Sequence, residues 1–196
     1  IIVKLEGSHI RAGFGATIIA EGQKGQEVVF TSRRNDEYGA GGTFDTNDDG
    51  AGLQNAPGDW GGIYVGHTGS ISLDNALIHN AGGVTPLEGD FAAFNPIEIH
   101  QATARIANTE FSENADGLGG TAPPNRFGLL THDEGTIFVR SSQPVILDNV
   151  FRNNEGPVAN INSNALNADI VTDPGRSTGL ADQETGFIDN QGPLVR

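Results

Sequence analysis

Apolar residues fall along this chain in short β-branched clusters, cut apart by Gly, Asn, Asp and Pro. Ile1 to Leu5, Thr17 to Ala20, Val28 to Thr31, Ile63 to Val65, Ile71 to Leu73, Ile97 to Ile99, Arg105 to Ala107, Ile137 to Val139 and Val145 to Leu147 are such clusters. Length and bounding residues predict strands. No stretch keeps a 3.6-residue apolar period for three turns, so helices are not expected. Ala102 to Ile106 comes nearest, but Pro144 stands where its aligned copy would need a helical residue.

The clusters repeat. Ile78-His79-Asn80-Ala81, Phe111-Ser112-Glu113-Asn114-Ala115, Phe151-Arg152-Asn153-Asn154 and Phe187-Ile188-Asp189-Asn190 are versions of one unit. Upstream of two copies the match extends: Ile97 through Asn108 aligns without a gap to Ile137 through Asp148. A repeat of this kind marks units that stack, each covering the apolar face of the one before.

Each unit reads as three short strands joined by turns. The layout predicts an all-β fold: a single-stranded, right-handed parallel β-helix of about five to six coils, spanning 1–196 as one domain, with successive coils about 4.8 Å apart. Inward side chains then line up as columns. Ile63, Ile97 and Ile137 form one, Val65, Ile99 and Val139 a second, and Ile78, Phe111, Phe151 and Phe187 a third. Asn75, Asn108 and Asp148 share a corner where an Asx side chain tolerates left-handed backbone. Start-to-start spacing is 34 residues from Ile63 to Ile97 and 40 from Ile97 to Ile137. A bare coil needs roughly 20–25. The surplus lies after the Gly82-Gly83 corner and its counterparts, as inserts at 35–59, 84–95 and 118–136. Loops collected on one face are where a solenoid carries function.

Composition narrows the partners. The net charge of −14 disfavours nucleic acid and anionic membranes, whose binding depends on Lys and Arg contacts. Cysteine is absent, which removes disulfides, thiolate metal sites and a cysteine nucleophile. No apolar run reaches transmembrane length. The sequence opens inside a strand-like run and stops after a repeat unit, so it reads as a segment of a longer protein.

Asp45-Thr46-Asn47-Asp48-Asp49-Gly50 is the sharpest chemical motif. Oxygen ligands at alternate positions before a Gly match the first half of a Ca²⁺ loop. Asp45, Asn47 and Asp49 are the candidate ligands, with Asp36 and Asp59 to complete the shell. Position 56 is Ala, so the acidic twelfth residue of an EF-hand is missing. A solvated Asx turn is the alternative. Trp60, the sole tryptophan, either covers the stack as the loop rejoins it or offers a face to a sugar. His67 and His100 fall at neighbouring corners and read as surface residues. For polysaccharide cleavage the carboxylate pairs to consider are Asp116 with Asp148, and Glu98 with Asp133 and Glu134. Arg105 and Arg140 are candidate strand-face bases. No pair stands out, and no catalytic residue is assigned.

The run Thr31 to Asp36, continuing through Tyr38 to Gly50 and Pro57-Gly58-Asp59-Trp60-Gly61-Gly62-Ile63, resembles repeat regions of very large secreted or surface-attached bacterial proteins. Asn95-Pro96-Ile97-Glu98-Ile99-His100-Gln101-Ala102 shares the likeness. These regions are similar to right-handed parallel β-helices of the pectin-lyase-like class. The resemblance implies an extracellular or cell-surface location, lends weight to calcium at Asp45, Asn47 and Asp49, and supplies no catalytic residues. The expected role is a calcium-stabilised structural or adhesive scaffold whose partners are neighbouring coils, copies of itself or extracellular polysaccharide. A head-to-tail filament subunit and a polysaccharide-binding or polysaccharide-degrading β-helix are the alternatives.

Overall fold

The computed structural model describes residues 1–39, 45–48, 50, 54–88, 91–93, 95–117, 134–161 and 186–188. Among them every regular element is a strand. In chain order these are β1 (Ile2–Leu5), β2 (Ile10–Ala12), β3 (Thr17–Glu21), β4 (Val28–Ser32), β5 (Ile63–Val65), β6 (Ser70–Asp74), β7 (Ala76–His79), β8 (Thr85–Glu88) and β9 (Phe91–Ala93). They continue as β10 (Ile97–His100), β11 (Thr103–Ala107), β12 (Glu110–Ser112), β13 (Ile137–Arg140), β14 (Val145–Leu147), β15 (Val150–Arg152), β16 (Ala159–Ile161) and β17 (Gly186–Ile188).

Three sheets are wholly parallel, ordered β1-β4-β7-β12-β15-β17, β16-β13-β10-β5-β2 and β14-β11-β6-β3. The chain visits them in a fixed rotation. The triples β2-β3-β4, β5-β6-β7, β10-β11-β12 and β13-β14-β15 each place one strand in each sheet, in the same order. Strands this short gain little alone, so the stack is what holds them.

The columns are in register. Ile10, Ile63, Ile97, Ile137 and Ala159 are mutual partners across the second sheet. Ala12, Val65, Ile99, Val139 and Ile161 follow two residues on. In the first sheet Val3, Phe30, Ile78, Phe111, Phe151 and Phe187 align. Ile63, Ile97 and Ile137 are shut off from solvent and belong to one apolar cluster. Each such side chain contributes roughly 1.5–3 kcal/mol when fully buried. The rings of Phe111 and Phe151 lie parallel with centroids 4.9 Å apart.

Side-chain amides seal the corners. Asn75, Asn108 and Asp148 have φ of 45°, 48° and 54°, the left-handed backbone expected at that turn. Inside the next corner, Ala81 N–H donates to Asn114 Oδ1 (2.8 Å) and Asn114 N–H to Asn154 Oδ1 (3.1 Å). Asn114 Nδ2 donates to Ile78 O and to Asn154 Oδ1, and Asn154 Nδ2 to Phe111 O. Buried asparagines thus satisfy backbone groups that a turn would leave unpaired. Glycine is required where passes touch. A Cβ on Gly83 would meet the carbonyl oxygen of Gly58, and one on Gly82, at φ 90°, the carbonyl oxygen of Ala115.

Two details depart from expectation. β2 joins the stack although Ile10-Arg11-Ala12 is a weak strand signal. The insert at 84–95 carries an antiparallel hairpin, β8 with β9, rather than a bare loop. Much of the inserts at 35–59 and 118–136 lies outside the described residues.

Candidate functional site

The three inserts read from the sequence leave the first sheet and re-enter at the second: 33–62 between β4 and β5, 80–96 between β7 and β10, and 113–136 between β12 and β13. Inserts gathered where the chain passes between these two sheets are where a stacked fold carries function.

The first insert holds the candidate cation ligands. Asp45 caps its own turn, with Oδ1 accepting from the Asp48 N–H (2.6 Å) and Oδ2 from the Gly50 N–H (2.9 Å). Two cations secure that turn: Lys4 Nζ donates to Thr46 Oγ1 (2.9 Å) and Arg33 Nη2 to Thr46 O (3.4 Å). Asp59 closes the far end. Its Oδ2 accepts from Ser32 Oγ (2.6 Å) and the Ala56 N–H (3.0 Å), while Arg34 lies 3.8 Å from Oδ1. Asp36 differs. It is 9% exposed, and among the described residues neither carboxylate oxygen has a hydrogen-bond partner. Asn47 is among the described residues and Asp49 is not. Among the described residues no three His, Asp or Glu side chains converge as a metal-holding group.

Trp60 does not offer a platform to a sugar. It is 0% exposed, inside the apolar cluster, and its indole N–H donates to His79 O at 2.8 Å. The covering position is the one it occupies, because Gly61 and Gly62 beside it let the returning backbone pass close to Thr85, Asn95 and Pro96.

The sequence reading missed a second group. Along the outward face of the second sheet, Tyr64, Glu98 and Phe138 are register partners, and His100 pairs with Arg140. Strand alternation would put these residues in water, yet all five are buried. His100 was expected at the surface beside His67. Instead it is 0% exposed, its Nε2 2.6 Å from Glu98 Oε2, with its ring stacked on Tyr64 and tilted against Phe138. His67 packs edge-on against Phe14. The signal that could have found the cluster is the Tyr64-Glu98-Phe138 row itself, since two aromatics aligned on an outer face call for a cover. Of the carboxylate pairs considered for catalysis, Glu98 is committed to His100, Asp148 to the left-handed corner, and Asp133 lies outside the described residues.

Two buried titratable groups give opposite pH dependences. Burial pushes the Glu98 carboxyl up, with the His100 hydrogen bond and charge opposing. The folded state then holds that proton more tightly than the unfolded chain. This contribution is complete at low pH and is lost as pH rises above the ordinary value of 4.5 towards the folded one. Burial pushes the His79 imidazole down, with Glu113 the leading opposing charge. Its contribution is present above the ordinary value of 6.5 and is lost as pH falls below it. Urea melts across this range should show Glu98→Gln flattening the alkaline limb and His79→Gln the acid limb. A profile unchanged by either variant contradicts the assignment.

No protein-family model, no curated protein and no solved structure matches this chain.

Proposed function

We propose that this chain is a right-handed, single-stranded parallel β-helix of the pectin-lyase-like kind, a stretch of about five to six coils from a large secreted or surface-attached bacterial protein. Its role is a stiff structural or adhesive spacer, stabilised by Ca²⁺ and without catalysis. The observation that supports this best is the fixed rotation of strands through three parallel sheets, with three long inserts running from the first sheet to the second. Each pass touches only its neighbours, so stiffness grows with the number of passes while one edge stays free to vary.

Calcium enters through Asp36. A carboxylate enclosed with no donor among the described residues is costly, and a hard cation offsets that cost. Ca²⁺ takes six to eight oxygens. Asp45, Asn47, Asp49 and Asp59 are the residues to complete them, and Asp45 and Asp59 would share oxygens that now accept hydrogen bonds. Saturating Ca²⁺ should raise the melting temperature by about 5–10 °C, the shift expected for roughly 2–3 kcal/mol of linkage in a chain of this size. Asp36→Asn should abolish the rise. Identical melts in Ca²⁺ and in chelator remove calcium and leave the spacer reading standing.

The open edges support a second reading, end-on association of copies. β1, β2 and β3 are edge strands at one end of all three sheets, and Ile2 and Ile19 on them are exposed. Light scattering over a concentration series decides it, since a constant monomer mass at high concentration counts against stacking.

A further inference from the structure

The outer face of the first sheet carries a groove of about 600 Å³. It runs along the stacking direction, because its floor residues Val29, Leu77 and Val150 stand with Glu110 in one row of register partners. Four strands at about 4.8 Å spacing make that row about 14 Å long. The corner column Asn75, Asn108 and Asp148 forms one side, and Tyr38 lines it as well.

The lining is aliphatic below and acidic at the rim. Among the described lining residues, Glu27, Glu110 and Asp148 face one cation, Lys24. Arg152 engages Glu110, at 3.3 Å. Asp148 Oδ1 is enclosed and, among the described residues, has no hydrogen-bond partner. Tyr38 stands in the same negative field. Burial first, then Glu37, Glu110, Glu113 and Glu27, hold its hydroxyl above the ordinary range.

We propose that this groove docks a basic peptide segment of another protein. The methylene stems of Lys or Arg lie along Val29, Leu77 and Val150, as long cationic side chains do on apolar surface. Their charged heads meet Glu27, Glu110 and Asp148, and the Tyr38 ring supplies a face for one cation. Charge complementarity selects this occupant. An acidic polymer is repelled by the same rim, and the chain's net charge of −14 draws cations from a distance.

Asp148→Asn is the informative variant. Asn75 and Asn108 occupy the same column with the same left-handed backbone, so the change removes charge and preserves the fold. Dye-labelled hexalysine, titrated against the full chain at low salt, should bind saturably and weaken as salt is added. Asp148→Asn should weaken it about three- to fivefold, in line with an exposed ion pair. Glu155→Gln, an exposed charge outside the groove, should leave it unchanged. In NMR titration the shifted amides should include Leu77, Thr109, Glu110 and Val150. Three results overturn the proposal: no binding of hexalysine, equal weakening by Glu155→Gln and Asp148→Asn, or amide shifts at this groove from a neutral oligosaccharide but not from hexalysine.

Discussion

Phe111→Ala lowers the unfolding free energy by about 3–5 kcal/mol, the range for deleting a fully buried aromatic ring. Phe111 sits in the middle of a column, between Ile78 below and Phe151 above, and is closed to solvent. Removing it takes away the parallel ring contact with Phe151 and opens a void that the flanking strands cannot close, since each is held in register by two neighbours. Phe111→Leu keeps most of the volume and should cost under half as much. Chemical denaturation measures both. A small loss for the alanine variant would mean that the column is not a packed core.

Asn114→Leu is expected to destabilise about as severely, for a different reason. The side chain is similar in size, so no large void forms. What is lost is polar pairing: the Ala81 N–H and the Ile78 carbonyl each lose their Asn114 partner, and Asn154 Oδ1 loses the Asn114 side-chain donor. Each buried polar group left unpaired costs about 1–3 kcal/mol, giving about 3–5 kcal/mol for the set. Asn114→Asp should be no milder, because a carboxylate there faces the Ile78 carbonyl and Asn154 Oδ1 with no proton to donate. Hydrogen exchange should show the Ala81 and Asn114 amides losing protection before those of β10. Retention of their protection in Asn114→Leu contradicts the assignment.

The register was legible because it is written twice. The gapless match of Ile97–Asn108 to Ile137–Asp148 corresponds to the observed pairing of β10 with β13 and β11 with β14. The corner glycines and the left-handed Asn75, Asn108 and Asp148 were legible for the same reason, since backbone geometry restricts which residues fit. Outward positions were not legible. His100 and Glu98 alternate with Ile97 and Ile99 as solvent-facing residues would, and nothing local tells that their face is covered. The Asp45 loop shows the converse. Alternate oxygen residues before Gly50 suit a cation or a self-capped turn equally well, and Asp45 is found capping its own turn. Asp36, one residue among five candidates in the sequence, is set apart only by its enclosure.

Parallel, in-register stacking of successive passes can be tested with introduced cysteines, since the chain has none of its own. Thr17 and Ser70 are register partners on β3 and β6 with hydroxyls 2.8 Å apart, and Arg105 pairs with Val145 on β11 and β14. Neighbouring strand positions meet the Cα separation of a disulfide. Thr17→Cys with Ser70→Cys, and Arg105→Cys with Val145→Cys, should each close an intramolecular disulfide under mild oxidation. Thr17→Cys with Ile71→Cys, shifted by one residue to the opposite face, should not. Cross-linking of the shifted pair, with none in the register pairs, contradicts the stack.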